Sequence, residues 1–312
     1  MARSPNRPTP HKGFTLVELM IAMVLGLLVI AGVGSLYVSN KQTYTTSEDL
    51  SEYQENVRYI FEMMTKDIRQ ADGTPCRRRE YKFKPQSSIS GFNWGDGIRG
   101  YTGNENAEAQ DPTFGTGSAD RVAGTDALRV TGSSGPIGEV TQHTADTNIF
   151  MVNKTLSGSL LIVCDNYTVS AFKATINGTK ITSDSILDGD YSPPNARISG
   201  ASQILWYLGC NDLADCTSAE GRSLYRAKNN LANSGGESPQ PIANGIKNLQ
   251  FEYLSRDTTE YKEKATYWPA VVAVRVSLEL FPPGTKNDGT NQEGQLTPKL
   301  THVIALRNRI DP

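Results

Sequence analysis

Apolar residues fill the chain almost without interruption from Leu19 to Val38, and Glu18 is the one charge at the head of this run. A stretch of about 20 such residues is long enough for a helix to cross the hydrocarbon core of a membrane. A secretory signal peptide would have a shorter apolar core followed by a cleavage site with small residues. Because the helical pattern continues from Lys41 onward, we expect a membrane-spanning helix that leads directly into the rest of the protein.

Beyond Tyr37 the chain becomes polar, but apolar side chains still recur every three or four residues, as they do on one face of a helix. They are Leu50, Tyr53, Val57, Ile60, Met64 and Ile68. Gly73 and Pro75 predict the end of this helix. Since the repeat falls short of four clean heptads, packing of the apolar face on a sheet is favoured over a coiled coil.

After the helix the pattern changes to a period of two, which is typical of half-buried strands. The clearest example is 271–280, and the other candidate strands are 127–131, 148–152, 159–164, 167–176, 203–208, 222–227, 246–254 and 300–307. The Gly-, Asn- and Ser-rich stretches 84–125 and 229–245 predict surface loops, with partner binding as the alternative role. Strands that follow one long helix predict an α+β fold, with an antiparallel sheet packed on the outer half of the helix.

Charge indicates the orientation of the predicted membrane helix. Arg3, Arg7 and Lys12 precede the apolar run, and no acidic residue occurs before Glu18. The positive-inside rule therefore places the leader in the cytoplasm and everything after residue 40 outside. The 312 residues have an ordinary globular balance, 38% hydrophobic and 21% charged, with a net charge of -2. That net charge argues against strong binding of nucleic acid.

The Glu18 carboxylate needs a physical reason, because an ionised acid costs about 2.5–3.5 kcal/mol at the centre of a bilayer and less near its surface. Glu18 lies one helical turn from Phe14, so both residues share one face of the helix. A cationic group near Phe14 would offset the charge of the carboxylate, and a low dielectric would strengthen that attraction. The alternative is that Glu18 reaches the lipid headgroups and has no specific role.

The segment Gly13-Phe14-Thr15-Leu16-Val17-Glu18-Leu19 resembles the leader of type IV prepilins and of type II secretion pseudopilins. The resemblance implies that a prepilin peptidase cuts after Gly13 and methylates Phe14, the new N-terminal residue. It also implies that Glu18 is the assembly carboxylate, paired with the amine of Phe14 in an adjoining subunit or in its own chain. Four segments follow: leader 1–13, membrane and filament-core helix 14–40, amphipathic helix 41–72, and exported loop-rich β domain 73–312.

Motifs farther along the chain resemble the PilW class of minor pilins. The helix carries Gln54-Glu55-Asn56-Val57-Arg58 and Asp67-Ile68-Arg69-Gln70-Ala71, and Leu306-Arg307-Asn308-Arg309 follows the last predicted strand. The resemblance covers residues 11–76 well and 270–310 less closely. No proline occurs between residues 14 and 74, unlike in the helix of most major pilins, so the similarity is to a minor subunit. J-type minor pseudopilins of type II secretion share the leader and remain the nearest alternative.

The resemblance implies a non-enzymatic protein that takes part in pilus assembly, in an initiating or tip complex. Implied partners are the prepilin peptidase, minor pilins of the PilV, PilX and FimU types, a PilY-type tip protein and the major pilin. The subunit would sit in the bacterial inner membrane, with its C-terminal domain in the periplasm, before it joins the extracellular fibre. A further alternative is an adhesin or DNA-uptake module displayed on the pilus, for which Arg77, Arg78 and Arg79 are the only basic cluster.

The cysteines Cys76, Cys164, Cys210 and Cys216 lack the C-x-x-C spacing of zinc sites, and an even number in an exported domain favours two disulfides. Three pairings are possible, and we favour Cys76–Cys164 with Cys210–Cys216 over the other two. Four reduced cysteines are the alternative for a cytosolic domain. Neither a catalytic motif nor a nucleotide-binding loop is present in the sequence, and we expect no cofactor and no metal.

Overall fold

The computed structural model describes residues 15–76, 82–83, 96–107, 111–144, 149–187, 189–213, 215–218, 221–228, 238–281 and 299–309. The chain divides into two compact units, Met1–Gln54 and Glu55–Pro312. The division into two units reflects how compactly the residues pack and does not locate a membrane. The four segments that the sequence predicts are therefore still predictions. Cys76 and all the strands belong to the second unit.

One helix, α1, runs without interruption over Leu16–Arg69 and has 54 residues. Its first part, Leu16–Lys41, is long and apolar enough to cross a membrane. Every one of these 26 residues is exposed within the chain. An apolar surface of this length needs lipid or other helices around it, which fits membrane anchoring.

Among the described residues, ten strands form the larger sheet. They are β1 (Lys82–Phe83), β2 (Ile98–Tyr101), β3 (Ala127–His143), β4 (Ile149–Val152), β5 (Leu160–Cys164), β6 (Thr168–Asn177), β7 (Lys180–Ser183), β8 (Arg197–Cys210), β9 (Arg222–Lys228) and β10 (Gln240–Asn244). Their order is β10-β9-β8-β5-β6-β7-β4-β3-β2, with β1 beside β6. All pairs are antiparallel except β1 with β6.

Part of this sheet closes on itself, because β3 pairs with β8 as well as with β4. The six strands β8, β5, β6, β7, β4 and β3 therefore form a hydrogen-bonded ring. Alternate residues of these strands make one buried apolar cluster, which includes Phe150, Leu161, Phe172, Ile181 and Ile198. Closure gives these six strands hydrogen-bonding neighbours on both sides without an open edge.

The smaller sheet has three antiparallel strands, β11 (Ile246–Ser255), β12 (Val271–Leu280) and β13 (Lys299–Ala305). The end of α1 that belongs to the second unit buries Val57, Ile60, Met64 and Ile68 at steps of three and four residues. Phe61 on the same helix contacts His302 of β13, with ring centroids 5.1 Å apart. The predicted α+β fold, a long N-terminal helix packed on antiparallel sheet, is confirmed.

Several features differ from the expectation of the sequence. The strands β1 and β7 were not predicted, and β8 begins at Arg197 instead of residue 203. β3 runs to His143 instead of ending near residue 131, because its partner β8 accommodates a register shift between Ser134 and Gly138. The stretches 84–125 and 229–245, expected to be loops, contain β2 and β10, which pair with β3 and β9. The glycine and serine content of these segments predicted loops. Hydrogen bonds from the neighbouring strands nevertheless hold β2 and β10 extended.

Candidate functional site

The first turn of α1 is closed by a reciprocal pair of side-chain hydrogen bonds. The Thr15 backbone N–H and the Thr15 hydroxyl both donate to Oε2 of Glu18, each at 3.0 Å. In return, the Glu18 backbone N–H donates to Oγ1 of Thr15 at 3.3 Å. The Thr15 carbonyl accepts from the Leu19 N–H at 3.2 Å, so Thr15 is the residue that caps the helix. This is a capping box.

Helix capping is a role of Glu18 that the resemblance to prepilin leaders did not predict. The signal was present in the sequence, because Thr-x-x-Glu in front of an apolar run is the pattern of a capping box. A cap needs a side-chain oxygen that accepts a hydrogen bond, and glutamine supplies one as well as glutamate does. The cap therefore explains an acceptor at position 18 and leaves the charge of that acceptor without an explanation.

Gly13 and Phe14, the predicted cleavage and methylation residues, lie outside the described residues, and their roles stay predictions. The next residue, Thr15, is described, and its backbone nitrogen is 3.0 Å from Oε2 of Glu18. The carboxylate is thus held at the N-terminal end of α1.

The apolar surface that follows this cap is open on all sides. A methyl group built on Gly26, Gly32 or Gly34 would meet no atom within 4 Å. The Ser35 hydroxyl donates back to the Gly32 carbonyl at 2.8 Å, so its polarity is satisfied within the helix. Glycines exposed in this way allow a neighbouring helix to pack closely against the backbone of α1.

The far end of α1 is fixed to the larger sheet by a buried carboxylate. Asp67 is 6% exposed and accepts from the Trp206 indole N–H at 3.0 Å. It also accepts from two nitrogens of Arg226, at 2.8 and 3.1 Å. Trp206 lies on β8 and Arg226 on β9. The Asp67 of the Asp-x-Arg-x-Ala motif is therefore an anchor between helix and sheet.

The C-terminal motif closes the end of the same helix. Asn308 donates from its side-chain amide to the Ala71 carbonyl at 3.0 Å. Arg309 is 1% exposed, and its guanidinium bonds to the Asp72 carboxylate at 3.3 Å and to the carbonyls of Val271, Trp268 and Asp96. Two of the three motifs that support the resemblance to minor pilins, 67–71 and 306–309, thus meet in space and hold the helix end in place.

Two disulfides join Cys76 to Cys164 and Cys210 to Cys216. These are the pairs that the sequence analysis favoured. The first connects the segment after α1 to β5, and the second closes a short loop after β8. In the described part of the chain, no group of three or more His, Cys, Asp or Glu side chains is arranged to hold a metal ion.

One histidine is built into the core of the strand ring. The His143 side chain is 2% exposed and stacks on Phe150, with ring centroids 4.2 Å apart. Its Nδ1 accepts from the Tyr191 backbone N–H at 3.2 Å, which requires an unprotonated nitrogen. Burial lowers the pKa of His143 below its usual 6.5, and the carboxylate of Asp190 opposes that shift. The arrangement is that of a neutral, structural histidine.

Comparison with known proteins adds one family. Residues 9–34 match the family described as Prokaryotic N-terminal methylation motif. Searches among curated proteins and among solved structures gave no match. The chain thus carries the leader motif of type IV pilin-like proteins, and this supports a place in the prepilin and pseudopilin family. The motif implies processing by a prepilin peptidase and association with other pilins.

Proposed function

We propose that this protein is a minor pilin of the PilW class that takes part in assembly of a type IV pilus without acting as an enzyme. The observation that supports this most directly is the combination of the methylation motif with Glu18 held at the very start of an exposed, membrane-length helix. After cleavage the chain would join an initiating or tip complex by helix bundling. Periplasmic placement of the second unit before assembly is part of the same proposal.

The proposed step is neutralisation of Glu18 by the amine of Phe14. The capping bonds from Thr15 hold the carboxylate at the N-terminal end of the helix, where that amine is created. Pairing lowers the cost of keeping a charge in an apolar surrounding, since two opposite charges attract strongly at low dielectric. A helix that pairs with its neighbour in this way has a fixed axial position in the bundle.

The proposed partners are other minor pilins of the PilV, PilX and FimU types, a PilY-type tip protein and the major pilin. The closing contacts of Asp67, Asn308 and Arg309 support the PilW class, because they give a structural reason for the motifs that carry that resemblance. J-type pseudopilins share the leader, so the same strains are to be scored for pili and for protein export.

The test compares Glu18→Gln with Thr15→Ala. Glu18→Gln keeps a hydrogen-bond acceptor for the cap but removes the charge, whereas Thr15→Ala keeps the charge and costs about 1 kcal/mol of capping. We expect Glu18→Gln to insert into the membrane normally and to lower surface pili to the number in a deletion strain. Thr15→Ala should keep most pili.

The opposite ranking, in which Thr15→Ala abolishes pili and Glu18→Gln keeps them, would show that Glu18 acts only as a cap. Loss of exported proteins with unchanged pili would assign the protein to type II secretion. Pili counted by electron microscopy, membrane fractionation of the variant and an export assay give the three readouts.

A further inference from the structure

The smaller sheet has one edge at β11 and the other at β13. In an antiparallel pair, the backbone groups of successive residues point alternately toward the neighbouring strand and away from it. The Leu306 N–H donates to the Val272 carbonyl at 2.8 Å. Because the register of β12 with β13 is continuous, every second residue before Leu306 also bonds to β12. The backbone N–H and C=O groups of Thr301, Val303 and Ala305 therefore point away from the sheet.

The corresponding outward groups of β11 are satisfied within the chain. The Leu249 carbonyl accepts from the Asp126 N–H at 3.0 Å, and the Phe251 N–H donates to Oδ2 of Asp126 at 2.9 Å. Tyr253 exchanges two backbone hydrogen bonds with Lys262, at 2.7 and 3.0 Å. The fold thus closes one edge of this sheet with its own loops.

The outer edge of β13 is open in the part of the chain that the structure describes. There the outward backbone groups of Thr301, Val303 and Ala305 form no hydrogen bond with another described residue. Thr301 is exposed, and Val303 is 49% exposed. The outward groups extend over five residues, or about 13 Å at 3.3 Å per residue, which is the length of a short strand.

Strand β13 also lacks the features that protect other edge strands of this protein. At one end of the larger sheet, β10 contains Pro241 and a register shift, and at the other end β2 has only four residues. β13 has seven residues without a proline or a register shift, and Lys299 at its start is its only lysine, arginine or acid. A long, regular edge of this kind pairs readily with another extended chain, so native proteins usually cover or interrupt it.

We propose that the outer edge of β13 binds an extended segment of another subunit of the assembly complex, which adds to the smaller sheet as a fourth strand. The backbone donors and acceptors that alternate along β13 are complemented by a second extended backbone. Val303 favours an apolar side chain beside it on that segment. The inference rests on the proposed function, because that function supplies the other subunits.

A proline at an outward position tests the edge and spares the sheet. Val303→Pro removes an N–H that β12 does not use, and proline is tolerated at such positions of edge strands. The matched control, Val303→Ala, truncates the side chain and keeps the N–H. Urea unfolding of the full-length protein in detergent should give the same midpoint for both variants and the wild type.

Binding is measured with the tagged full-length protein, produced together with the other minor pilins, the tip protein and a prepilin peptidase. The complex is recovered from detergent-solubilised membranes. We expect Val303→Pro to lower the co-recovery of one of these subunits about tenfold, since an added strand loses a backbone hydrogen bond and meets the proline ring. Val303→Ala should stay close to the wild-type value.

Photo-crosslinking locates the contact and does not depend on the folding of the proline variant. A photoreactive phenylalanine analogue replaces residue 301, 303 or 305 in turn, and mass spectrometry identifies the cross-linked residues. Strand addition predicts that all three positions reach one segment of the same subunit. The cross-linked residue should move by about two residues along that segment for each step of two along β13.

Wild-type co-recovery with Val303→Pro would overturn the inference. Cross-links to residues 282–298 of the same chain, to an isotope-labelled second copy or to no subunit would overturn it as well. Failure of the proposed function is separable, since Glu18→Gln with normal pili would remove the assembly role and leave the series of cross-links intact.

Discussion

The two parts of α1 use apolar residues in opposite ways. In Leu16–Lys41 apolar side chains cover all faces, and each is exposed within the chain. In the stretch from Glu55 to Arg69 the buried apolar side chains follow one face, and Val57, Ile60, Met64 and Ile68 are at most 5% exposed. The second part is stabilised by the sheets of its own chain, while the first part depends on lipid or on other subunits.

This contrast separates folding from assembly along one helix. Substitutions of buried residues after Glu55 should lower the stability of the globular unit, because they remove contacts within the chain. Substitutions before Lys41 should leave that stability unchanged and act on membrane insertion or on association with other pilins.

The largest effect on the anchored part is expected from loss of Cys76–Cys164, which closes a loop of 88 residues. In the chain-entropy view, Cys76→Ser with Cys164→Ser lowers the free energy of unfolding by about 4–5 kcal/mol. The control pair, Cys210→Ser with Cys216→Ser, opens a loop of 6 residues and should cost about 2 kcal/mol. Urea unfolding of the full-length protein in detergent measures both, and equal losses would contradict the prediction.

Removal of the buried carboxylate should be the next largest change. Asp67→Ala removes the carboxylate that pairs with Arg226 and accepts from the Trp206 indole N–H, at a cost of about 3–4 kcal/mol. Glu62→Gln, which removes one partner of the exposed Arg58–Glu62 pair, is the control and should cost less than about 1 kcal/mol. Similar losses for the two variants in urea unfolding would show that Asp67 does not anchor the helix.

A matched pair of truncations compares the two parts of the helix directly. Ile60→Ala removes a fully buried side chain and should cost about 2–4 kcal/mol of unfolding free energy. Leu25→Ala truncates a side chain that is 57% exposed, and the unfolding of the globular unit should not change. A loss of stability in Leu25→Ala comparable to that in Ile60→Ala would mean that the two parts are not separate in function.

The smallest expected effect is a pH dependence that comes from His143. Its folded pKa is lowered, so the contribution of neutral His143 is fully present above the unfolded value near 6.5 and is lost as the pH falls through the folded value. The melting temperature of the wild type should therefore decrease in mildly acidic buffer. His143→Asn should reduce that decrease, and the exposed control His302→Asn should not; equal pH profiles for wild type and His143→Asn would contradict the assignment.

The sequence predicts α1 well because its two periodic patterns are long and no glycine or proline interrupts the second. Strand β12 is predicted over 271–280 and found at Val271–Leu280, since alternation along ten residues is a strong signal. The extension of β3 past Gly132 is not predictable in this way, because pairing with β8 overrides weak local preference.

In the candidate site, too, contacts between residues close in sequence could be predicted, and contacts between residues far apart in sequence could not. Thr15 and Glu18 are three residues apart, so their capping box can be read from the sequence. The partners of Asp67 are not local, since Trp206 is 139 residues away and Arg226 is 159 residues away. The groove beside the end of α1 likewise joins residues from α1, β3, β8, β9 and the turn after β13, which only the tertiary fold brings together.

The central claim is that the helix beginning near Glu18 is processed and used for assembly, and the N-terminal residue of the mature protein tests it most directly. The measurement is mass spectrometry of the protein from cells with an active prepilin peptidase. The account predicts a chain that begins at Phe14 with a methylated amine. A chain that retains residues 1–13 under those conditions would contradict it.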